Sequence, residues 1–238
     1  PYQGCEHGCI YCFARPSHAY WNLGAGLDFE TRIFHKPGLE RVLARELAAP
    51  GYVCRPINLG ANTDPYQPAE RELRSTRALL EVLLAHRHPV TIVTKGVLVL
   101  RDLDLLAALA ARRLCSVAVS LTTLDDDLKR TLEPRAAAPR ARLQVIRRLV
   151  GAGVPVTALL APMIPALNDH EMEALLEAAA GAGATNAAFM MLRLPHDLGR
   201  LFEEWLREHY PQRTDRVLNL LREARGGRLN DPRFGHRM

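Results

Sequence analysis

The amino-terminal residues include three cysteines whose spacing could hold a metal centre. Cys5, Cys9 and Cys12 form the pattern Cys-x3-Cys-x2-Cys within eight residues. Thiolates are soft ligands that suit iron–sulfur clusters, zinc or copper(I). A closed zinc site needs four ligands, and so does a cluster that the protein ligates completely. The loop therefore offers three ligands and leaves one coordination position for an exogenous molecule.

Three alternatives compete with this interpretation. Disulfide pairing would leave an odd thiol, because the chain has five cysteines. His7 could complete a zinc site, although ligation by a residue between two of the cysteines would be cramped. The three thiols could also be free and buried. The other cysteines, Cys54 and Cys115, are isolated in the sequence, and we expect both to be small buried residues.

With an aromatic residue, Tyr11, before the third cysteine, the motif resembles the signature of the radical S-adenosylmethionine (SAM) enzymes. The resemblance implies that the cysteines hold a [4Fe–4S] cluster whose fourth iron takes the amino and carboxylate groups of SAM. It also implies that reduced cluster cleaves SAM to methionine and a 5′-deoxyadenosyl radical, which abstracts hydrogen from a substrate. We expect the electron to come from a donor such as flavodoxin or ferredoxin.

The rest of the chain predicts strands that alternate with helices. β-branched and apolar runs predict strands at 56–60, 90–94, 116–120, 155–161 and 186–192. Amphipathic stretches predict helices at 37–48, 70–86, 101–113, 125–131, 139–152, 169–182, 197–209 and 213–224. Alternation of this kind indicates parallel βαβ units. With a sixth strand just before Cys5, it matches the partial (β/α)6 TIM-type barrel of the resembled family, followed by C-terminal helices.

Composition favours one globular domain over residues 1–238, with 197–238 as a C-terminal helical extension and tail. The 238 residues are 48% hydrophobic and 24% charged, and no apolar run reaches membrane-spanning length. The chain opens at Pro1 without an initiator methionine, so we expect the first strand to lie partly upstream. A net charge of +5 permits a nucleic-acid partner without requiring one. Unpaired cysteines fit a reducing cytoplasm.

Polar residues follow the predicted strands at their carboxyl ends, where α/β barrels place their sites. SAM needs an acidic or hydroxyl partner for its ammonium and a cationic partner for its carboxylate. Asp64, with Thr63 beside it, is the candidate for the ammonium. Lys95 or Arg142 is the candidate for the carboxylate. The candidates for ribose or carboxylate are Ser120 and Thr122.

Residues 62–70 are similar to the DNA-repair-photolyase-like group related to spore photoproduct lyase. That resemblance assigns SAM contacts to Thr63, Asp64, Lys95 and Ser120. Ala61 stands where this group's hydrogen-donor cysteine would be, so we do not expect thymine-dimer splitting by that route. A different hypothesis, a metal-containing nucleic-acid-binding module without radical chemistry, rests on the basic charge balance and the arginine-rich tail.

Overall fold

The computed structural model describes residues 1–230, and its central element is a parallel sheet of five strands. The seven strands of the described chain are β1 (Tyr2–Gln3), β2 (Phe34–His35), β3 (Ile57–Leu59), β4 (Val90–Thr94), β5 (Cys115–Ser120), β6 (Val156–Met163) and β7 (Asn186–Met191). The sheet has the order β3-β4-β5-β6-β7, and every neighbouring pair is parallel. The predicted α/β class and the parallel sheet are confirmed.

Helices connect the strands and cover the outer face of the sheet. They are α1 (Leu27–Thr31), α2 (Leu39–Leu47), α3 (Glu70–Leu73), α4 (Ser75–Ala85), α5 (Leu103–Ala110), α6 (Asp126–Leu132), α7 (Pro139–Gly151), α8 (Met172–Gly181), α9 (Leu198–His209) and α10 (Thr214–Glu223). The main core forms where leucines of α4, α5 and α7 pack against alternate side chains of β4 and β5. None of the helices within residues 1–230 is long and apolar enough to cross a membrane.

The first strand differs from the prediction. Residues 2–3 are a strand, but β1 pairs antiparallel with β2 and does not join the five-stranded sheet. After the cysteine loop, the chain forms a 3₁₀ helix at Arg15–Trp21 and the short helix α1. This segment and β2 wrap the cysteine loop, which begins immediately after β1.

The helix predicted over 70–86 is two helices. Arg74 adopts a left-handed conformation, with φ of 49°, between α3 and α4. The backbone amides of Thr76 and Arg77 donate to the Glu70 carboxylate at 2.9 and 3.3 Å. A side-chain carboxylate therefore caps the start of α4, where helical amides lack backbone partners. The helix predicted over 101–113 likewise begins as a 3₁₀ turn, at Val97–Asp102, before α5.

The two C-terminal helices cover the cysteine loop. Phe202, Trp205 and Leu206 of α9 belong to one apolar cluster with Cys9 and Tyr11. The Trp205 indole also donates to the carbonyl of Thr131, at the end of α6, at 3.2 Å. These helices therefore pack against the cysteine loop and the end of α6. The last part of the predicted tail, residues 231–238, lies outside the described residues.

Candidate active site

The three thiols share one cavity of about 180 Å³ at the carboxyl ends of the parallel strands. This is the edge at which strands of α/β barrels carry their active sites. Besides Cys5, Cys9 and Cys12, its polar lining includes His7, Tyr11, Asn62, Thr63, Asp64, Lys95, Ser120 and Arg193. Most residues that the sequence placed on this rim are thus brought together.

Arg15 is buried and bonds to the backbone of the cysteine loop. Its side chain is 1% exposed. The guanidinium donates to the carbonyls of Cys9 and Gly8 at 2.8 and 3.1 Å, and to those of Ala25 and Gly26 at 3.0 Å. It also pairs with the Glu30 carboxylate at 2.5 Å. The planar Arg15 guanidinium thereby bonds both to the cysteine loop and to residues 25–30, which pack around that loop.

Arg135 also bonds to the backbone of the cysteine loop. Its backbone amide donates to the His7 carbonyl at 3.1 Å, and its guanidinium contacts the Glu6 carbonyl and the Glu30 carboxylate. Gly8 lies against this guanidinium with φ of 70°, and a β-carbon there would clash with it. Two arginines thus share Glu30 and bind carbonyls of the cysteine loop.

The segment after β3 is bonded to the cysteine loop by neutral side chains. The Thr63 hydroxyl donates to the Tyr2 carbonyl at 2.8 Å. Gln67 donates its amide to the Gly4 carbonyl at 3.1 Å and accepts from the Glu6 amide at 3.0 Å. These contacts fix the distance between the thiols and the residues that follow β3.

The thiol arrangement suits a cluster better than a single ion. Among residues 1–230, no three His, Cys, Asp or Glu side chains converge closely enough to hold one metal ion. A cubane cluster does not require such convergence, because each thiolate binds a different iron. The Nδ1 atom of His7 lies 3.4 Å from the Asp64 carboxylate.

Burial raises the pKa of all three thiols. It places the pKa of Cys9 at about 12, with the Glu133 carboxylate adding to the effect. The pKa values of Cys5 and Cys12 are raised for the same main reason. The bare loop is therefore protonated at neutral pH, and metal loading must release protons from it.

Asp64 is saturated by contacts within the protein. Its Oδ1 accepts from the Thr94 hydroxyl at 2.7 Å and the Tyr66 amide at 2.8 Å, and its Oδ2 accepts from the Lys95 amide at 2.7 Å. Burial by itself would raise the pKa of this carboxyl, but the nearby His7 and these donors lower it to about 2. With four donors around it, a carboxylate has little capacity left for an ammonium.

Glu133 is the centre of a second buried network, which the sequence did not assign to the site. Its Oε1 accepts from the Thr122 hydroxyl at 2.7 Å and from the Tyr11 hydroxyl, and its Oε2 contacts the Arg142 guanidinium. Burial would raise the pKa of Glu133, but Arg142 and Lys95 lower it to about 2. The carboxylate is thus ionised and couples the cysteine loop to strand β5.

This network corrects two sequence-based assignments. Neither Thr122 nor Arg142 lines the cavity. Arg142 is 2% exposed and also donates to the carbonyls of Ala137 and Ser120 at 2.8 and 3.1 Å. We expected the Arg142 guanidinium to bind the SAM carboxylate, but it forms a buried ion pair with Glu133. A charge buried in the core is costly without such a partner.

Lys95 supplies a cation to the cavity. Its side chain is 18% exposed, and its Nζ lies 3.9 Å from Glu133 Oε1 and 5.6 Å above the centre of the Tyr11 ring. Both contacts hold the ammonium against the cavity wall. Beside it, the Ser120 hydroxyl donates to the Ala161 carbonyl at 3.2 Å and keeps its lone pairs for a ligand.

The remaining cysteines are remote from the cavity. Cys115 is buried, as predicted, at the start of β5, whereas Cys54 is exposed, contrary to the prediction. Neither lines the cavity, and neither does Ala61. Within the described chain, the three loop thiols are therefore the only cysteines at this site.

Comparison with known proteins identifies the superfamily. The model of the Radical SAM superfamily matches residues 1–179. The uncharacterized protein Rv2578c of Mycobacterium tuberculosis is 38% identical over 225 residues, covering 94% of this chain and 66% of that protein. The uncharacterized protein MJ0683 of Methanocaldococcus jannaschii is 26% identical over 220 residues, covering 92% and 78%. The chain thus spans slightly less than two thirds of the mycobacterial relative.

Solved structures share the fold. A mutant of spore photoproduct lyase with bound AdoMet (SAM) and dinucleoside spore photoproduct superposes with a TM-score of 0.63 at 18% identity, covering 89% of this chain and 59% of that one. The anSMEcpe structure with bound AdoMet and Kp18Cys peptide gives a TM-score of 0.50 at 13% identity, covering 96% and 60%. This likeness shows the shared fold, and the family match over residues 1–179 shows that the chain belongs to the radical SAM superfamily.

Proposed function

We propose that Cys5, Cys9 and Cys12 hold a [4Fe–4S] cluster and that SAM binds in the cavity beside it. The observation that carries the proposal is that three thiols and the Lys95 ammonium line one cavity at the carboxyl edge of the sheet. When bound, the cluster supplies the electron that cleaves SAM to methionine and a 5′-deoxyadenosyl radical. The chain's own part is to hold, orient and shield the reactants.

Lys95 binds the carboxylate of SAM in this proposal. It is a cation on the cavity wall, and Glu133 and Tyr11 orient it without saturating its three donors. A carboxylate contact of this type is charge-assisted and therefore strong. The Ser120 hydroxyl lies at the end of the neighbouring strand and binds either the ribose or the carboxylate.

Asp64 acts as a positioning residue. Its bonds to Thr94 and to the Lys95 amide fix the start of the Lys95 segment, and its contact with His7 ties that segment to the cysteine loop. Thr63 bonds to the Tyr2 carbonyl and offers its remaining lone pairs to the ligand. The ammonium of SAM then takes its main anchorage from the cluster iron.

Apolar residues make the far wall of the cavity. Leu159, Met190, Met191 and Leu192 line it from β6, β7 and the residue that follows β7. They supply apolar surface for adenine.

For the substrate, we propose a nucleic acid. The net charge of +5 favours polyanions, and Arg193 stands on the cavity wall. The spore photoproduct lyase relative was solved with a dinucleoside in place. Among residues 1–230, the cavity is lined by the three loop thiols and by no other cysteine. A reducing cytoplasm is the compartment that this chemistry needs.

Anaerobic reconstitution tests the proposal. Iron and sulfide should load the protein, and dithionite with SAM should then yield 5′-deoxyadenosine. Double-stranded DNA should raise the yield and should bind more weakly as salt rises. A fully loaded protein that forms no 5′-deoxyadenosine would refute the radical chemistry, and indifference to every oligonucleotide would refute the substrate class.

A further inference from the structure

Three aromatic side chains form an exposed stack beside the cysteine loop, which we term the aromatic platform: Tyr20, Trp21 and Phe34. The Trp21 and Phe34 rings are stacked, with centres 5.1 Å apart and planes at 21°, and Tyr20 meets Trp21 edge-on at 5.5 Å. They are 84%, 46% and 36% exposed in chain order. The Trp21 indole donates to the Gln3 side chain at 2.7 Å, so the platform is held in place while it faces solvent.

The platform connects to the thiols through packed rings. Phe34 lies 5.9 Å from the buried His18 ring, and His18 lies 5.1 Å from the Phe29 ring. Phe29 is 1% exposed and belongs to one apolar cluster with Cys5, against which Cys12 also packs. Ring contacts, each shorter than 6 Å between centres, thus run from the surface to Phe29, which packs in one cluster with Cys5 of the metal-binding loop.

Two exposed cations lie close to the platform in sequence. Arg32 and Lys36 flank Phe34 and form no salt bridge within residues 1–230. Of the acidic residues nearby, Glu30 pairs with two arginines, whereas Asp28 accepts from a backbone amide and offsets only part of the charge of the two cations. A partner that covers the platform is therefore expected to present carboxylates.

The platform lies outside the cavity, so a partner bound to it and the substrate would occupy different parts of the protein. None of the three platform residues lines the cavity, so a molecule docked on them approaches the thiols without entering the space where SAM and substrate meet. The proposed chemistry requires an electron from outside the chain to reduce the cluster. A carrier needs proximity to the cluster, whereas a substrate needs access to the cavity.

We infer that the aromatic platform is the docking surface for an acidic one-electron carrier protein. The inference rests on the proposed function, because it presumes a cluster on the three thiols. In the step, the carrier loses one electron, the cluster gains it, and no bond is made or broken between the proteins. Interfaces of this kind are small and depend on electrostatic steering.

The test compares two reductants on the cluster-loaded protein. The charge-reversed variant Arg32→Glu/Lys36→Glu is matched by Arg147→Glu/Arg148→Glu, which makes the same charge change on the outer side of α7. Cluster bleaching by reduced bacterial flavodoxin is followed by absorbance at low salt, with dithionite as the small-molecule reductant. We expect the platform variant to lose about tenfold in second-order rate constant with flavodoxin and nothing with dithionite, while the control keeps both rates.

Docking is also measured without the cluster. Trp21 is one of two tryptophans, and the other, Trp205, is 7% exposed. Oxidised flavodoxin should therefore quench the fluorescence of apo-protein, and Trp21→Ala should remove that quenching. Equal flavodoxin rates in the platform and control variants, or quenching by an oligonucleotide and not by flavodoxin, would overturn the inference. Wild-type protein that dithionite cannot reduce would instead overturn the proposed function.

Discussion

Replacing Glu133 with glutamine removes the negative charge that faces Arg142 inside the protein. Glu133 and Arg142 are 0% and 2% exposed, so water cannot solvate the cation left behind. Glutamine keeps the volume of the side chain and can still accept from the Thr122 hydroxyl. The substitution therefore removes the charge with little change in side-chain volume. We expect it to lower the free energy of unfolding while leaving the helices and the sheet intact.

Two independent arguments set the size of the effect. Breaking a buried ion pair by removing one partner costs about 3–5 kcal/mol. The Glu133 pKa is lowered from 4.5 to about 2, and at about 1.4 kcal/mol per pH unit this corresponds to roughly 3 kcal/mol. The exposed pair of Arg200 and Glu204 is the control, because its partners are 70% and 57% exposed. Glu204→Gln should cost at most about 0.5 kcal/mol.

Urea unfolding of the apo-protein, followed by circular dichroism, measures both variants. The folded-state pKa of Glu133 lies below its unfolded value, so its stabilising effect is complete above about pH 4.5 and is lost as pH falls towards 2. The difference in free energy of unfolding between wild type and Glu133→Gln should therefore decrease as the pH is lowered. At pH 7 we expect a difference of about 3–5 kcal/mol. A difference below about 1 kcal/mol at pH 7, or one that increases in acid, would refute the proposed role of the Glu133 charge.

Three further predictions concern the cavity and its support. Cys9→Ala should fold normally in the apo form but fail to assemble a full [4Fe–4S] cluster, whereas Cys115→Ala should load as wild type does; iron and sulfide analysis decides between them. Lys95→Met should weaken SAM binding to the cluster-loaded protein in calorimetry by at least about tenfold, the value of one charge-assisted hydrogen bond, and Lys129→Met should not. Arg15→Lys should slow cluster assembly and lower the thermal midpoint, because an ammonium cannot bond four carbonyls at once; unchanged assembly kinetics would contradict the role of this clamp.

The sequence was sufficient where local patterns decide the structure. The β-branched run at Val90–Thr94 is a strand with the predicted bounds, since such residues fit a pleated, buried surface. Polar residues at strand ends could be placed on one rim because parallel strands end at the same edge. Lys95, Ser120 and Asp64 meet the thiols there as predicted.

What the sequence could not supply depends on contacts between distant residues. Glu133 and Arg142 lie nine positions apart with a proline-containing loop between them, and no periodicity shows that their side chains pair in the core. The pairing of β1 with β2 likewise joins residues more than thirty positions apart. Arginine clamps such as Arg15 look like ordinary surface charges in a sequence, and only burial reveals them.

The loop thiols should leave one iron of a cluster open to SAM within the cavity that holds Lys95. Electron paramagnetic resonance of the reduced, reconstituted protein measures this contact, with SAM labelled with ¹⁵N or ¹⁷O in its amino acid part. SAM should change the cluster signal, and the labels should show hyperfine coupling to it. A signal that SAM leaves unchanged in a fully loaded protein would mean that no iron of the cluster is open to SAM.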